Sequence, residues 1–284
     1  MPITVECIHA ARAGCGEGPL WDHRSGLLWW VDIAGEIIHA HDPANKENRQ
    51  FDAPCLVSSL ALAPEGLLIA SARGMASLDT RSGELSPLEH PEPGLSDNRL
   101  NDIIAGPDGA LWVGTMSEGV RGPTGALYRL DGAGTSTQMS GTTISNGLGF
   151  SPDGTRLYFI DSVPGVLYVR EDDEWRVLHR FDETTGKPDG MTVDSNGTLW
   201  IAICDHGRVI SMEPSGTITS QFDLPCEIVT SCCFGGHDLS TLYITTGTFS
   251  MSEQEKAANP MAGGLFAARM AVPGLPAHEA RWPH

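Results

Sequence analysis

The sequence predicts an all-β fold, a six-bladed β-propeller around a central channel, and three observations support it. A short pattern of turn followed by strand recurs six times, and the copies keep a spacing near 40 to 45 residues. No long apolar pattern with a 3.6-residue period competes with it.

Each copy has a polar turn, usually with glycine, then a Leu-Trp, Leu-Tyr or similar apolar pair, then more apolar residues. In chain order these are HRSGLLWWVD (23–32), APEGLLIAS (63–71), GPDGALWVGT (106–115), SPDGTRLYFID (151–161), SNGTLWIAI (195–203) and HDLSTLYITT (237–246). Asp-Gly and Asn-Gly supply positive φ at a hairpin, and β-branched or aromatic residues suit the strand that follows. A second hairpin half follows each one: GEIIHAHDP, GMASLDTRSG, GALYRLDG, GVLYVRED, GRVISMEPSG and GGLFAARM. The 33 glycines and 19 prolines are spread along the chain, as many tight turns require.

The repeats account for residues 16–270, and the strand expected over 3–11 is placed to complete the sixth blade and close the ring. The whole chain, 1–284, thus reads as one propeller domain. Three irregular insertions, 89–99, 182–188 and 248–263, read as pocket loops or plain surface.

Composition narrows the function classes. A formal charge of −18 argues against a nucleic-acid partner, which needs a basic stripe. No apolar run is long enough for a membrane helix, and the N-terminus lacks a basic start followed by an apolar core. Seven cysteines, none in a CxxC pair, read as reduced thiols, so a cytoplasmic location is expected. Cys15 reads as a small packing residue, not a nucleophile. No obligate protein partner is expected.

One position per blade carries the chemistry. Counting back about eleven or twelve residues from the apolar pair reaches the start of the innermost strand, occupied by Glu17, Ser58, Asn101, Asn146, Asp189 and Ser231. Inner strands line a propeller's channel, so these six oxygen-bearing side chains are expected to converge on the axis. Two carboxylates and two amides suit a hard divalent cation, whereas the lack of His and Cys disfavours a structural zinc site. Ser58 and Ser231 read as polar residues facing a wet channel. Glu17 and Asp189 call for a cation, because a buried carboxylate without a partner is costly. Alternation is expected to send Asp102 away from the axis, and His206 reads as an outlying loop histidine. A Ser-His-Asp hydrolase has no GxSxG support.

The strings CGEGPLWD (15–22), DNRLND (97–102) with GTM (114–116), SNGLGFSPDG (145–154) and KPDGMTVDSNGTLW (187–200) resemble the SMP-30/gluconolactonase/LRE family, in the same order and at similar spacing. The resemblance implies a six-bladed propeller with a central metal-binding channel and one divalent cation (Ca²⁺, Mg²⁺, Mn²⁺ or Zn²⁺). It makes Glu17, Asn146 and Asp189 metal ligands, puts Asn101 near both metal and substrate, and makes Arg99 a partner for substrate hydroxyls. Glu118 matches a ligand-holding glutamate one position out of register. The expected activity is metal-dependent hydrolysis of a sugar lactone in carbohydrate metabolism, with Asp189 as general base. The alternatives are a metal-dependent phosphotriesterase and a non-catalytic calcium-binding propeller.

Overall fold

The computed structural model describes residues 3–282, and these form six four-stranded antiparallel sheets, each one blade. The inner strands of blades 1 to 6 are Gly16–Asp22, Val57–Leu62, Asn98–Ala105, Ser145–Phe150, Pro188–Val193 and Val229–Gly235. Turn glycines predicted from the sequence take positive φ, as at Gly109 (83°) and Gly154 (70°), where a side chain at Cα would be strained. The helix Glu253–Ala258 lies in the last insertion and is held by a Ser252/Glu255 capping box.

The core lies between adjacent blades rather than in one central mass. Tyr158, Ile160 and Val169 of blade 4 pack on Met191, Val193 and Ile201 of blade 5. Alternation along one strand serves two of these layers at once: Trp29 points into the blade 1–2 interface and Trp30 into the blade 6–1 interface.

Blade 6 closes the ring as expected. Val5–His9 pairs antiparallel with Leu265–Arg269, so the two ends of the chain share one sheet. The stretch after residue 270 was not foreseen in the repeat. It crosses the face of the ring away from the starts of the inner strands. Along this path Gly274 pairs with Asp194 of the blade 5 turn, Ala280 N–H donates to Leu62 O at 2.8 Å, and Arg281 N–H donates to Gly109 O at 2.8 Å.

The closing seam carries three histidines. His9 faces His39 and His41 of blade 1 with ring centroids 6.4 and 5.8 Å apart, and His39 stacks on Trp30 at 3.8 Å. Burial holds all three below their ordinary pKa, His39 to about 4. The charge of His9 adds to this at His39 and His41, while Asp32 and Asp42 pull the other way. The unfolded chain therefore binds more protons than the folded one as pH drops below about 6.5. The stability contributed by the neutral trio is complete above that pH and is lost as pH falls towards the folded values. His39 alone corresponds to about 3 kcal/mol over this window. Urea unfolding followed from neutral to mildly acidic pH is expected to show this slope, and His39→Phe to flatten it; equal slopes in the two proteins would refute the prediction.

Candidate active site

All six inner strands carry a break in register at or next to the predicted site position. The shifts fall between Glu17 and Leu20, Val57 and Ser59, Leu100 and Ile103, Asn146 and Leu148, Pro188 and Met191, and Val229 and Ser231. A bulge re-aims side chains and ends regular pairing, so each inner strand departs from simple alternation at this position. In three blades glycine follows the site residue and lets the next blade approach. A Cβ at Gly147 (φ 29°) would sit 2.5 Å from Asp189 O, and one at Gly190 would sit 2.0 Å from Ser231 Oγ. Gly190→Ala is accordingly expected to cost about 1–3 kcal/mol of overpacking, read as a lower unfolding midpoint.

Hydrogen bonds run from blade to blade around the axis. Arg99 Nη1 donates to Asn101 Oδ1 at 2.8 Å, Asn101 Nδ2 donates to Asn146 Oδ1 at 2.6 Å, and Asn146 Nδ2 donates to Asp189 Oδ1 at 2.5 Å. Four predicted residues on three blades thus form one connected chain. Glu17 belongs to the same group through charge: with Asp189 and Asp102 it shares one buried field. Ser58 is not part of a cage. Its hydroxyl donates to Leu100 O and Asn101 O, both at 3.0 Å, and so fixes the strand that carries Asn101. Ser231 packs against Gly190.

Arg99 is half-buried and also donates to Leu100 O at 2.9 Å. Glu118 is exposed and lies just past the strand Leu111–Ser117. Its N–H bonds Asp97 O at 2.8 Å, and its charge acts on Arg99. His206 sits in its loop beside Asp205, 2.9 Å away.

One expectation fails. Asp102 is buried and lines a cavity of about 150 Å³ in the channel below the site, lined underneath by residues 275–278. Simple alternation would have turned it away from the axis, but the bulge between Leu100 and Ile103 lets neighbouring Asn101 and Asp102 both serve the channel.

Electrostatics follow from burial. Desolvation pushes the Glu17 carboxyl well above the usual range, the charges of Asp189 and Asp102 push it further, and the Gly18 N–H at 2.9 Å opposes them. Burial also raises Asp189, followed by the charge of Asp102, while a hydrogen bond from the Cys204 thiol pulls it down. Asp102 is raised by burial against hydrogen bonds from Ser59 and Gly147. Three buried acids thus face one arginine. A divalent cation would balance them, and two amides can turn their oxygens towards it by rotating about the last side-chain bond. Glu17, Asn101, Asn146 and Asp189 therefore suit a hard cation. Among the described residues no three His, Cys, Asp or Glu side chains converge as a cage. Burial pushes the Cys15 thiol well up, with the charges of Glu17 and Asp189 adding to it, which disfavours the thiolate.

Two sets of residues were missed at the sequence level. Cys204 lies beside Asp189, whose charge adds to burial in pushing its thiol up. Three aspartates brace the segments that enter the inner strands: Asp32 takes the Cys15 N–H at 2.9 Å, Asp161 the Ile144 N–H at 3.1 Å and Asp205 the Lys187 N–H at 2.8 Å. Each braced N–H lies two residues before Glu17, Asn146 or Asp189. The signal was present in LLWWVD, LYFID and LWIAICD, where an aspartate ends or follows the Leu-Trp-like strand.

The family model described as SMP-30/Gluconolactonase/LRE-like region matches residues 15–248. The chain is 37% identical over 293 residues to the pentonolactonase of Haloferax volcanii, covering 96% of this chain and 97% of that protein. It is 34% identical over 283 residues to the 6-deoxy-6-sulfogluconolactonase of Pseudomonas putida, with 96% and 97% covered. Among solved structures, the calcium-binding protein regucalcin from Agrobacterium tumefaciens superposes with a TM-score of 0.94 at 28% identity, covering 99% of this chain and 98% of that one.

Proposed function

The chain belongs to the SMP-30/gluconolactonase/LRE-like family, and from that premise we propose that it hydrolyses a sugar lactone to the corresponding sugar acid with the help of one divalent cation. The observation that carries this reading is the axial group of Glu17, Asn101, Asn146 and Asp189, hydrogen-bonded to Arg99. Two lactonases among the relatives support the substrate class, and the calcium-binding neighbour supports a cation.

In this reading Glu17, Asn146, Asp189 and Asn101 would hold the cation. When bound it would act as a Lewis acid towards the lactone carbonyl and make a water molecule more acidic. Asp189 takes the proton of the attacking water; the ring C–O bond then breaks and the alkoxide is reprotonated to the hydroxyl of the acid. The Asn146 amide holds the Asp189 carboxylate in one orientation, with the Cys204 thiol beside it. Arg99 offers its planar fork of donors to ring hydroxyls, and Glu118, at the rim, accepts from a further hydroxyl. Neutral substrate suits a mouth in which acids outnumber bases.

The test is acid release from a panel of pentono- and hexono-lactones, with Ca²⁺, Mg²⁺, Mn²⁺ and Zn²⁺ supplied in turn and a phosphotriester as control. Turnover of hydroxylated lactones is expected. Hydrolysis of the phosphotriester alone, or of neither, would overturn the reading in favour of a phosphotriesterase or a calcium-binding module.

A further inference from the structure

Blade 3 lacks the aspartate brace found in blades 1, 4 and 5. At the place of Asp32 and Asp161, which face Gly16 and Ser145, its second strand has Thr115, which faces Leu100; the strand then ends in Met116-Ser117, followed by the exposed Glu118. Yet this blade carries Arg99 and Asn101. A different carboxylate stands close by. Glu92, from the 89–99 insertion, is only 5% exposed. Its Oε1 accepts from Thr115 Oγ1 at 2.8 Å and from Tyr128 OH at 2.9 Å. Its Oε2 accepts from Asn98 Nδ2 at 2.9 Å. Thus one side chain ties the insertion to three strands of blade 3.

The tie reaches the site in a single step, because Asn98 immediately precedes Arg99. Asn98 is held from its other side as well: Thr124 Oγ1 donates to its Oδ1 at 2.7 Å, and its Nδ2 donates to Thr124 O at 2.9 Å. Asp97 in turn accepts the Glu118 N–H at 2.8 Å. Pro91 and Pro93 flank Glu92 and stiffen the approach. Among the described residues Glu92 makes no ion pair. A carboxylate buried on neutral donors alone is a poor way to add stability, so its value lies in the geometry it imposes.

We propose that Glu92 is a positioning residue that sets Arg99, and with it Glu118, for recognition of a hydroxylated ring, replacing in blade 3 the aspartate brace of blades 1, 4 and 5. The inference rests on the lactonase reading for its kinetic consequence but not for its structural one. Asp189, Glu17 and Asn146 lie on other blades, and Asn101 keeps its own bonds to Ser145 O at 2.9 Å and Asn146 Oδ1 at 2.6 Å, so the chemical step is left largely intact when Glu92 is lost.

The experiment compares wild type, Glu92→Ala, Glu92→Gln, Arg99→Ala and the Glu92→Ala/Arg99→Ala double variant on a hexono-1,5-lactone and on unsubstituted δ-valerolactone. Glu92→Ala is expected to raise KM for the hydroxylated lactone about tenfold, the worth of roughly one charge-assisted hydrogen bond, with kcat little changed. Its δ-valerolactone kinetics are expected to match wild type, and it is expected to add nothing in the Arg99→Ala background. Glu92→Gln, which keeps an oxygen for Asn98, is expected to recover most of the loss and supplies the reading if the alanine variant does not fold. Equal losses on both lactones, or additive effects in the double variant, would overturn the proposal. Amide hydrogen exchange gives a readout without turnover: residues 95–99 are expected to lose protection in Glu92→Ala while Asn101 and the inner strands of blades 1 and 5 keep theirs. Unchanged exchange there would overturn the proposal too. Absence of lactone turnover in the wild type would instead defeat the lactonase reading and leave the exchange result to decide on Glu92.

Discussion

Asp189→Asn is expected to lower lactone turnover by about two to four orders of magnitude while the protein stays folded. Asparagine is nearly isosteric with aspartate, so the packing of the blade 5 inner strand persists. What changes is charge and basicity. The amide cannot take a proton from water, and it is a weaker cation ligand than a carboxylate. Stability moves the other way. The Asp189 carboxyl is buried in the field of Asp102, and its charge also burdens Glu17. Removing it relieves that repulsion, so the cation-free variant is expected to melt no lower than the cation-free wild type. Parallel loss of activity and melting temperature would assign Asp189 a structural role and defeat its assignment as general base. A small effect on turnover, with the cation still bound, would move the base elsewhere.

Removing the cation is expected to have the other large effect. A chelator should abolish turnover reversibly and lower the melting temperature. A ligand at a hundred times its Kd stabilises the folded state by about 2.7 kcal/mol, which amounts to a shift of a few degrees for a chain of this size. The sign with pH follows from the same buried acids. Glu17 and Asp189 are both raised by burial, so cation binding must release protons, and affinity is expected to weaken as pH falls. Calorimetry in buffers of different ionisation enthalpy measures that release directly. Full activity after exhaustive chelation would remove the cation from the reaction. A melting shift without any change in turnover would make it a structural ion.

Much of this architecture was legible before any coordinates. Turn glycines and Leu-Trp-like pairs are short-range signals: positive φ and two-residue alternation are decided within a few residues, so the six blades and the closing strand could be read directly. The same period placed Glu17, Asn101, Asn146 and Asp189 at one level, because equivalent positions in a repeat meet at the axis. Asp102 shows the limit of that reasoning, since alternation holds only while the ladder is regular, and the inner strand of blade 3 shifts register between Leu100 and Ile103. Cys204 could not be paired with Asp189 from spacing alone, because their contact depends on how one strand ends beside the start of another. Glu92 lies outside the repeat altogether, so no count along the chain leads to it.

The sequence by itself therefore determined the blade number, the strand pattern and the family of donors at the channel, all of which depend on local conformational preference repeated six times. The tertiary structure decided how those donors are braced, which acids share one buried field, and how residues after 270 cross the ring beneath them. These depend on groups far apart in the chain whose positions are set only when the ring closes and water is excluded.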